Sequence, residues 1–213
     1  MRDDIDLDAW FAAPEACLIR ERPRIQAIEH FVPPAACEWL IAQVRDRLAR
    51  ATIYDKATGG TTEDGRRTNS QCDLNVETGG VLTFVIRARI SALTGRQDAA
   101  MEVPKVLHYR PGETFAEHFD YLNPDEPAYA RELEVRGQRT DTFLIYLNDE
   151  YSGGETYFPD LGISHAGATG DALLFSNVDA EGRPDADTRH AGLSPTTGEK
   201  WLFSQWIREF PRN

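Results

Sequence analysis

The sequence predicts a mainly β domain with packed helices, an α+β arrangement whose strands form a sandwich or jelly roll. Two observations carry this reading. Apolar residues recur at helical spacing in two stretches of the first half, and after residue 100 the chain breaks into short apolar runs separated by glycine, proline and aspartate. No helical period intervenes between those runs, which argues against an alternating βαβ sheet.

Residues 1–24 hold Trp10, Phe11, two prolines and many charges without a clear period, and read as an N-terminal arm ahead of one domain over 25–213. From Pro33 to Arg50, the residues Cys37, Leu40, Ile41, Val44 and Leu48 mark one face behind an opening pair of prolines, the pattern of an amphipathic helix. A second helix is expected from about Gly80 to Leu93, with Leu82, Val85, Ile86 and Ile90 as its buried stripe. Between them lies Thr58 to Asn75, rich in glycine, threonine and charge. The strand-length runs are Val103 to Arg110, Phe115 to Tyr121, Thr142 to Leu147, Glu155 to Phe158, Asp171 to Phe175, Thr188 to Leu193 and Trp201 to Ile207.

Composition narrows the partners. With 213 residues, 41% of them hydrophobic, the chain buries a sizeable core in a single domain. Its formal charge of −12 repels phosphate backbones and anionic lipid, so neither nucleic acid nor a membrane is an expected partner, and a neutral or cationic substrate is favoured. Three cysteines, Cys17, Cys37 and Cys72, form no C-x-x-C pair and indicate a reducing compartment. The acidic N-terminus lacks the basic start and apolar run of a signal peptide, so a cytoplasmic location is expected. The oligomeric state is not readable. Asn177 to Thr188 imitates the opening of a calcium loop, but threonine stands where the last ligand should be, so a turn is the better reading.

The chemistry lies in His118-Phe119-Asp120 and in His190. On a strand, alternate side chains share a face, so His118 and Asp120 project together while Phe119 packs behind them. A third ligand from a distant strand completes a two-histidine, one-carboxylate set, which leaves adjacent positions open for a chelating cosubstrate and oxygen. His-x-Asp alone is a weak signal, common in ordinary strands. Lys200, opening the last strand ten residues after His190, strengthens it, because a lysine pointing into a β core needs an anionic partner such as a dicarboxylic acid.

Ordered motifs extend the pattern: Tyr109-Arg-Pro-Gly112, His118-Phe-Asp120, Arg139 ahead of Thr142-Phe-Leu-Ile-Tyr-Leu147, Gly153-Gly-Glu-Thr156, Gly170-Asp-Ala-Leu-Leu-Phe175, His190-Ala-Gly192 and Gly198-Glu-Lys200-Trp201. In these the chain resembles the prolyl 4-hydroxylase branch of the 2-oxoglutarate and iron(II) dioxygenases, over roughly residues 25 to 210. The resemblance implies a double-stranded β-helix, or jelly roll, with two helices from the N-terminal half backing one sheet. It makes His118, Asp120 and His190 the metal ligands and, with Lys200, the catalytic set. Lys200 would bind the distal carboxylate of 2-oxoglutarate and Tyr109 would hydrogen-bond the same cosubstrate, while Arg67, Asn69, Arg139 and Trp206 would line the substrate pocket. The implied cofactors are Fe(II), 2-oxoglutarate and O2, with ascorbate as an accessory. The implied reaction is hydroxylation of a prolyl residue in a peptide or protein, releasing succinate and CO2.

Two positions depart from the family pattern, Phe115 where a tyrosine is common and Arg208 where a histidine occurs, both expected on the substrate side. Hydroxylation of a free amino acid or other small molecule, a non-catalytic 2-oxoglutarate sensor and a zinc hydrolase stay open as alternatives. The stretch around Arg66, Arg67 and Asn69, together with Tyr121 to Gly137, is expected to border the active-site mouth as a mobile lid.

Overall fold

The computed structural model of the chain describes residues 14–54 and 61–212. The first half of the expected arm and part of the polar stretch between the helices therefore lie outside the described residues.

Two short two-stranded pairs aside, twelve strands among the described residues make two antiparallel sheets. They are β1 (Cys17–Arg20), β2 (Ile25–Ile28), β3 (Ala49–Arg50), β4 (Ser70–Asp73), β5 (Lys105–Tyr109), β6 (Phe115–His118), β7 (Arg139–Tyr146), β8 (Thr156–Phe158), β9 (Ile163–His165), β10 (Ala172–Ser176), β11 (His190–Gly192) and β12 (Lys200–Arg208). The larger sheet has the order β1-β2-β10-β7-β12-β5-β4-β3 and the smaller β9-β8-β11-β6. Strand alternation sorts the large sheet into two faces. Leu107, Tyr109, Leu144, Tyr146, Leu173, Phe175 and Leu202 meet Phe158, Phe115 and Ile163 of the small sheet in one core. Val106, Phe143, Ile145, Leu174, Trp201, Phe203 and Ile207 face the other way, onto Cys37, Leu40, Val44, Ile86 and Ile90 of the helices. The expected jelly-roll layering, with both helices behind one sheet, is what forms.

Helix α1 (Pro34–Val44) has proline in its first turn and buries Cys37, Leu40 and Val44. It stops earlier than the periodicity predicts. After a 3-10 turn at Arg45–Arg47 the backbone becomes extended at Leu48, because Ala49 and Arg50 pair with Gln71 and Ser70 at the sheet edge. Helix α2 (Val76–Thr94) starts earlier than expected. Asn75 caps it, accepting from the Glu77 and Thr78 N–H groups, while the Thr78 hydroxyl accepts from the Asn75 N–H; Gly80, at φ +49°, kinks rather than starts it. Helix α3 (Ala130–Arg136) occupies the stretch read as a lid.

The strand carrying the first ligand ends at His118, short of the expected Tyr121. Phe119 does not pack behind the ligands; it is 38% exposed and stacks on Tyr121. The second half of the expected arm supplies β1, an edge strand whose residues are mostly exposed. No described helix is long and apolar enough to cross a membrane.

Gly170 straps the turn before β10 onto the core. At φ +92° it donates to the Tyr146 carbonyl and accepts from the Val32 N–H, and a Cβ there would collide with the Val32 carbonyl oxygen. Gly170→Ala should cost about 3 kcal/mol, from left-handed strain plus a broken backbone contact. Denaturant unfolding checks this; a loss below about 1 kcal/mol would show that the strap tolerates a side chain.

Candidate active site

The antiparallel register of β6 and β11 sets His190 directly opposite His118, and Asp120 follows two residues after the strand end. Ligand atoms of these three residues all lie within 4.8 Å of one another. Each Asp120 oxygen is 3.5 Å from one imidazole Nε2, Oδ1 from His118 and Oδ2 from His190. The Nδ1 atoms face backbone carbonyls, Ala116 for His118 at 2.8 Å and Thr188 for His190 at 3.0 Å. A carbonyl only accepts, so each Nδ1 carries the hydrogen and each Nε2 presents its lone pair to the centre. Burial, and secondarily His118, pushes His190 down to about 4, so its ring is neutral at pH 7. Burial raises the Asp120 carboxyl, while the His190 and His118 rings, in their protonated form, and the Thr142 hydroxyl pull it well below the usual carboxylate range. The Thr142 hydroxyl donates to Asp120 Oδ2 at 2.7 Å and accepts from Asn177 Nδ2 at 2.9 Å. Two nitrogen lone pairs and one ionised carboxylate gathered beside the cavity are a donor set that would hold an Fe(II) ion.

Behind this cluster the larger sheet holds a narrow chamber of about 40 Å³ lined by Tyr109, Leu107, Leu144, Thr156, Leu202 and Gly192 along with the three ligands. By strand alternation Lys200 lies on the same face of β12 as Leu202, Ser204 and Trp206, two residues before the chamber-lining Leu202. Its side chain is fully buried, the ammonium donates to the Gly154 carbonyl, and Nζ sits 5.1 Å from the centre of the Tyr109 ring. No carboxylate pairs with it among the described residues. Burial pushes Lys200 down to about 7, against a weaker upward pull from Glu155. A buried cation without a carboxylate partner, on the strand face that lines a chamber beside the cluster, fits a linear dicarboxylate that reaches both. Tyr109 is 2% exposed, and burial pushes its hydroxyl up to about 12, so it remains a neutral donor at the chamber wall.

Outside the cluster the space widens into a cleft of about 620 Å³, lined among others by Arg67, Phe115, Phe119, Tyr121, Arg139 and Trp206. Arg67 reaches it with its guanidinium 4.3 Å from the centre of the Phe115 ring, which in turn stacks on His118 at 3.5 Å. Arg139 lies flat on Trp206, 3.7 Å from the ring centre. Two expectations need correction. Asn69 does not reach the cleft: it is fully buried, and its carbonyl oxygen accepts from Arg67 Nε, so it supports Arg67 instead. Arg208 is not on the substrate side either, being buried behind Arg139. Sequence reasoning missed Thr142, Asn177 and Glu102, which binds both Arg139 and Arg208; the readable hint was a polar Thr142 directly ahead of the apolar run Phe143 to Leu147.

The 2OG-Fe(II) oxygenase superfamily profile matches residues 104–208. Prolyl 4-hydroxylase 1 of Arabidopsis thaliana is 33% identical over 201 residues, covering 88% of this chain and 69% of that protein. Prolyl 4-hydroxylase subunit alpha-1 of Rattus norvegicus is 34% identical over 189 residues, covering 89% of this chain but 35% of that protein, so the chain spans about a third of that relative. Among solved structures, a viral collagen prolyl hydroxylase from Paramecium Bursaria Chlorella virus-1 in complex with 2OG matches with a TM-score of 0.65 at 24% identity, over 87% of this chain and 96% of that one. A Trichoplax adhaerens prolyl hydroxylase in complex with a hypoxia inducible factor peptide fragment matches with a TM-score of 0.63 at 14% identity, over 87% and 83%. At those identities the structural likeness carries the fold.

The lowered Lys200 value gives two pH effects. Affinity for 2-oxoglutarate should fall as pH rises through about 7, because the ammonium that meets its carboxylate loses its proton. The ligand-free protein should gain stability from this group between about 7 and 10.5, where an unfolded lysine holds the proton that the buried one has released. Calorimetric titration across that range checks the first effect, and Lys200→Met should flatten it. An affinity independent of pH in the wild type would mean that Lys200 does not hold the ligand.

Proposed function

Because the chain belongs to the prolyl 4-hydroxylase family of 2-oxoglutarate and iron(II) oxygenases, we propose that it hydroxylates prolyl residues of a peptide or protein. In that reaction 2-oxoglutarate and O2 are consumed, succinate and CO2 are released, and one oxygen atom enters the substrate C–H bond. The observation that carries the reading is the His118, Asp120 and His190 cluster together with the fully buried ammonium of Lys200, which no described carboxylate pairs, on the β12 face whose Leu202 lines the same chamber as the cluster.

Each residue then has a task. His118, Asp120 and His190 hold the metal, and Thr142 fixes the Asp120 carboxylate. Lys200 takes the distal carboxylate of 2-oxoglutarate, and the Tyr109 hydroxyl donates to the same molecule. Phe175 and Phe158 pack at 4.8 and 5.6 Å from the His190 ring and keep water from that side of the cluster. The chemistry that bound iron(II) and 2-oxoglutarate supply is oxygen activation coupled to decarboxylation. Ascorbate as an accessory reductant and a cytoplasmic location belong to the same proposal; three free cysteines support a reducing compartment.

The cleft supports a peptide. Its cations are largely neutralised before any substrate arrives: Arg66 by Asp64, Lys105 by Asp73 and Arg139 by Glu102. Glu117 is paired with Arg189, and Asp120 serves the cluster, so no lining carboxylate is free to receive the ammonium of an amino acid. Aromatic walls from Trp206, Tyr121 and Tyr129 suit a pyrrolidine ring in an extended, donor-poor chain. One feature favours a small carboxylate substrate instead. Arg67 has no carboxylate partner among the described residues, its donors going to Asn69 and the Thr52 carbonyl.

Mass spectrometry of a proline-containing peptide library against free amino acids tests the proposal. Peptides should gain one oxygen in a 2-oxoglutarate-dependent manner. His190→Ala should abolish turnover, and Lys200→Ala should weaken 2-oxoglutarate binding by about 2 to 5 kcal/mol. Turnover of free amino acids alone would overturn the peptide assignment; near wild-type turnover in His190→Ala would overturn the site.

A further inference from the structure

Arg208 ends β12 two residues beyond Trp206, yet it lines neither the chamber nor the cleft and is 1% exposed. A guanidinium removed from water needs acceptors and an opposing charge. Arg208 finds both: Nη1 donates to Glu102 Oε1 at 3.1 Å and Nη2 to the Glu132 backbone carbonyl of α3 at 3.0 Å, while Nε has no partner. Glu102 is itself anchored, its N–H donating to the Trp206 carbonyl and its own carbonyl accepting from Gln205 Nε2. The same carboxylate accepts from Nε and Nη2 of Arg139, at 2.7 and 3.1 Å. Held this way, Arg139 lies against the Trp206 ring and donates from Nη1 to the Asp120 carbonyl at 3.4 Å. One line of charge-assisted contacts thus runs from α3 through Arg208, Glu102 and Arg139 to the indole of the cleft and to the backbone of a metal ligand.

The segment that includes α3 is fastened at its ends as well. Gln138 accepts from the Leu122 N–H and donates to the Leu122 carbonyl, drawing the two ends together, and the Phe210 N–H donates to the Arg136 carbonyl. Between those ends, Glu132 is held to the body of the domain through Arg208.

Resting on the prolyl-hydroxylase reading above, we propose that Arg208 is a positioning residue for the substrate. Through Glu102 it sets the Arg139 and Trp206 wall, and through Glu132 it bolts residues 123–137 beside that wall, so the outer cleft is assembled before the substrate arrives. Pre-assembly removes an ordering cost from binding.

Hydrogen exchange and steady-state kinetics on the full chain test this with Arg208→Gln and Arg208→Lys. Arg208→Gln should speed amide exchange in 123–137 by about tenfold and raise the peptide KM by about tenfold, with kcat changed less than about twofold and the KM for 2-oxoglutarate unmoved. Glu102→Gln alone should raise the peptide KM at least as much, because it frees Arg139 directly as well as Arg208. Arg208→Lys keeps a charge near Glu102 but lacks the fork that also reaches Glu132, so it should show the faster exchange with a smaller KM change. If Arg208→Gln fails to fold, Arg208→Lys decides. Wild-type exchange in 123–137, or an equal rise in both KM values, would overturn the proposal. A wild type that hydroxylates no peptide would defeat the functional reading instead, and the exchange comparison would still decide whether Arg208 holds the wall.

Discussion

Asp120 is a carboxylate almost wholly removed from water, 4% exposed and facing two imidazoles, and the rest of the fold is arranged so that this is tolerable. A buried charge is costly unless its partners are fixed in place. Here they come from both sheets. β6 and β11 deliver the histidines in register, β7 delivers Thr142, and the turn after β10 delivers Asn177 to hold Thr142. A one-residue slip of β11 against β6 would turn His190 away from the centre and break up the three-residue cluster. The cluster is thus a consequence of sheet register, while its tautomers are a consequence of the Ala116 and Thr188 carbonyls.

β12 organises everything behind and in front of that cluster. Alternation places Lys200, Leu202, Ser204 and Trp206 on one face, so a single strand marks out the buried ammonium, the chamber wall and the cleft wall over about 20 Å. The opposite face packs Trp201, Phe203 and Ile207 onto the helices, which keeps the strand from moving when the inner face binds charge. The depth difference separates two spaces, a narrow inner chamber and an open cleft.

The clustering of His118, Asp120 and His190 and the burial of Lys200 were legible in the sequence because their information is local: two residues spaced by a strand period, a histidine ahead of a glycine, a lysine opening an apolar strand. The layering was legible for the same reason, since both helices and seven of the strands carry their own periodicity. What could not be read depends on distant pairing. β4 is Ser-Gln-Cys-Asp, polar enough to pass for loop, and becomes a strand because β5 lies beside it. α1 loses its last turn to an edge pairing with that same strand. Asn69 and Arg208 carry polar side chains near functional positions, but whether such a group faces the cleft or supports its neighbour is decided by residues far away in the chain, Glu102 above all.

The most direct test of the central claim, one site that holds iron(II) through His118, Asp120 and His190 and 2-oxoglutarate through Lys200, is an anaerobic absorption titration of the iron-loaded protein with 2-oxoglutarate. A visible charge-transfer band should appear only when metal and 2-oxo acid are both present, be absent in His190→Ala, and require far more 2-oxoglutarate in Lys200→Ala. No band in the wild type, or the same titration curve in Lys200→Ala, would contradict it.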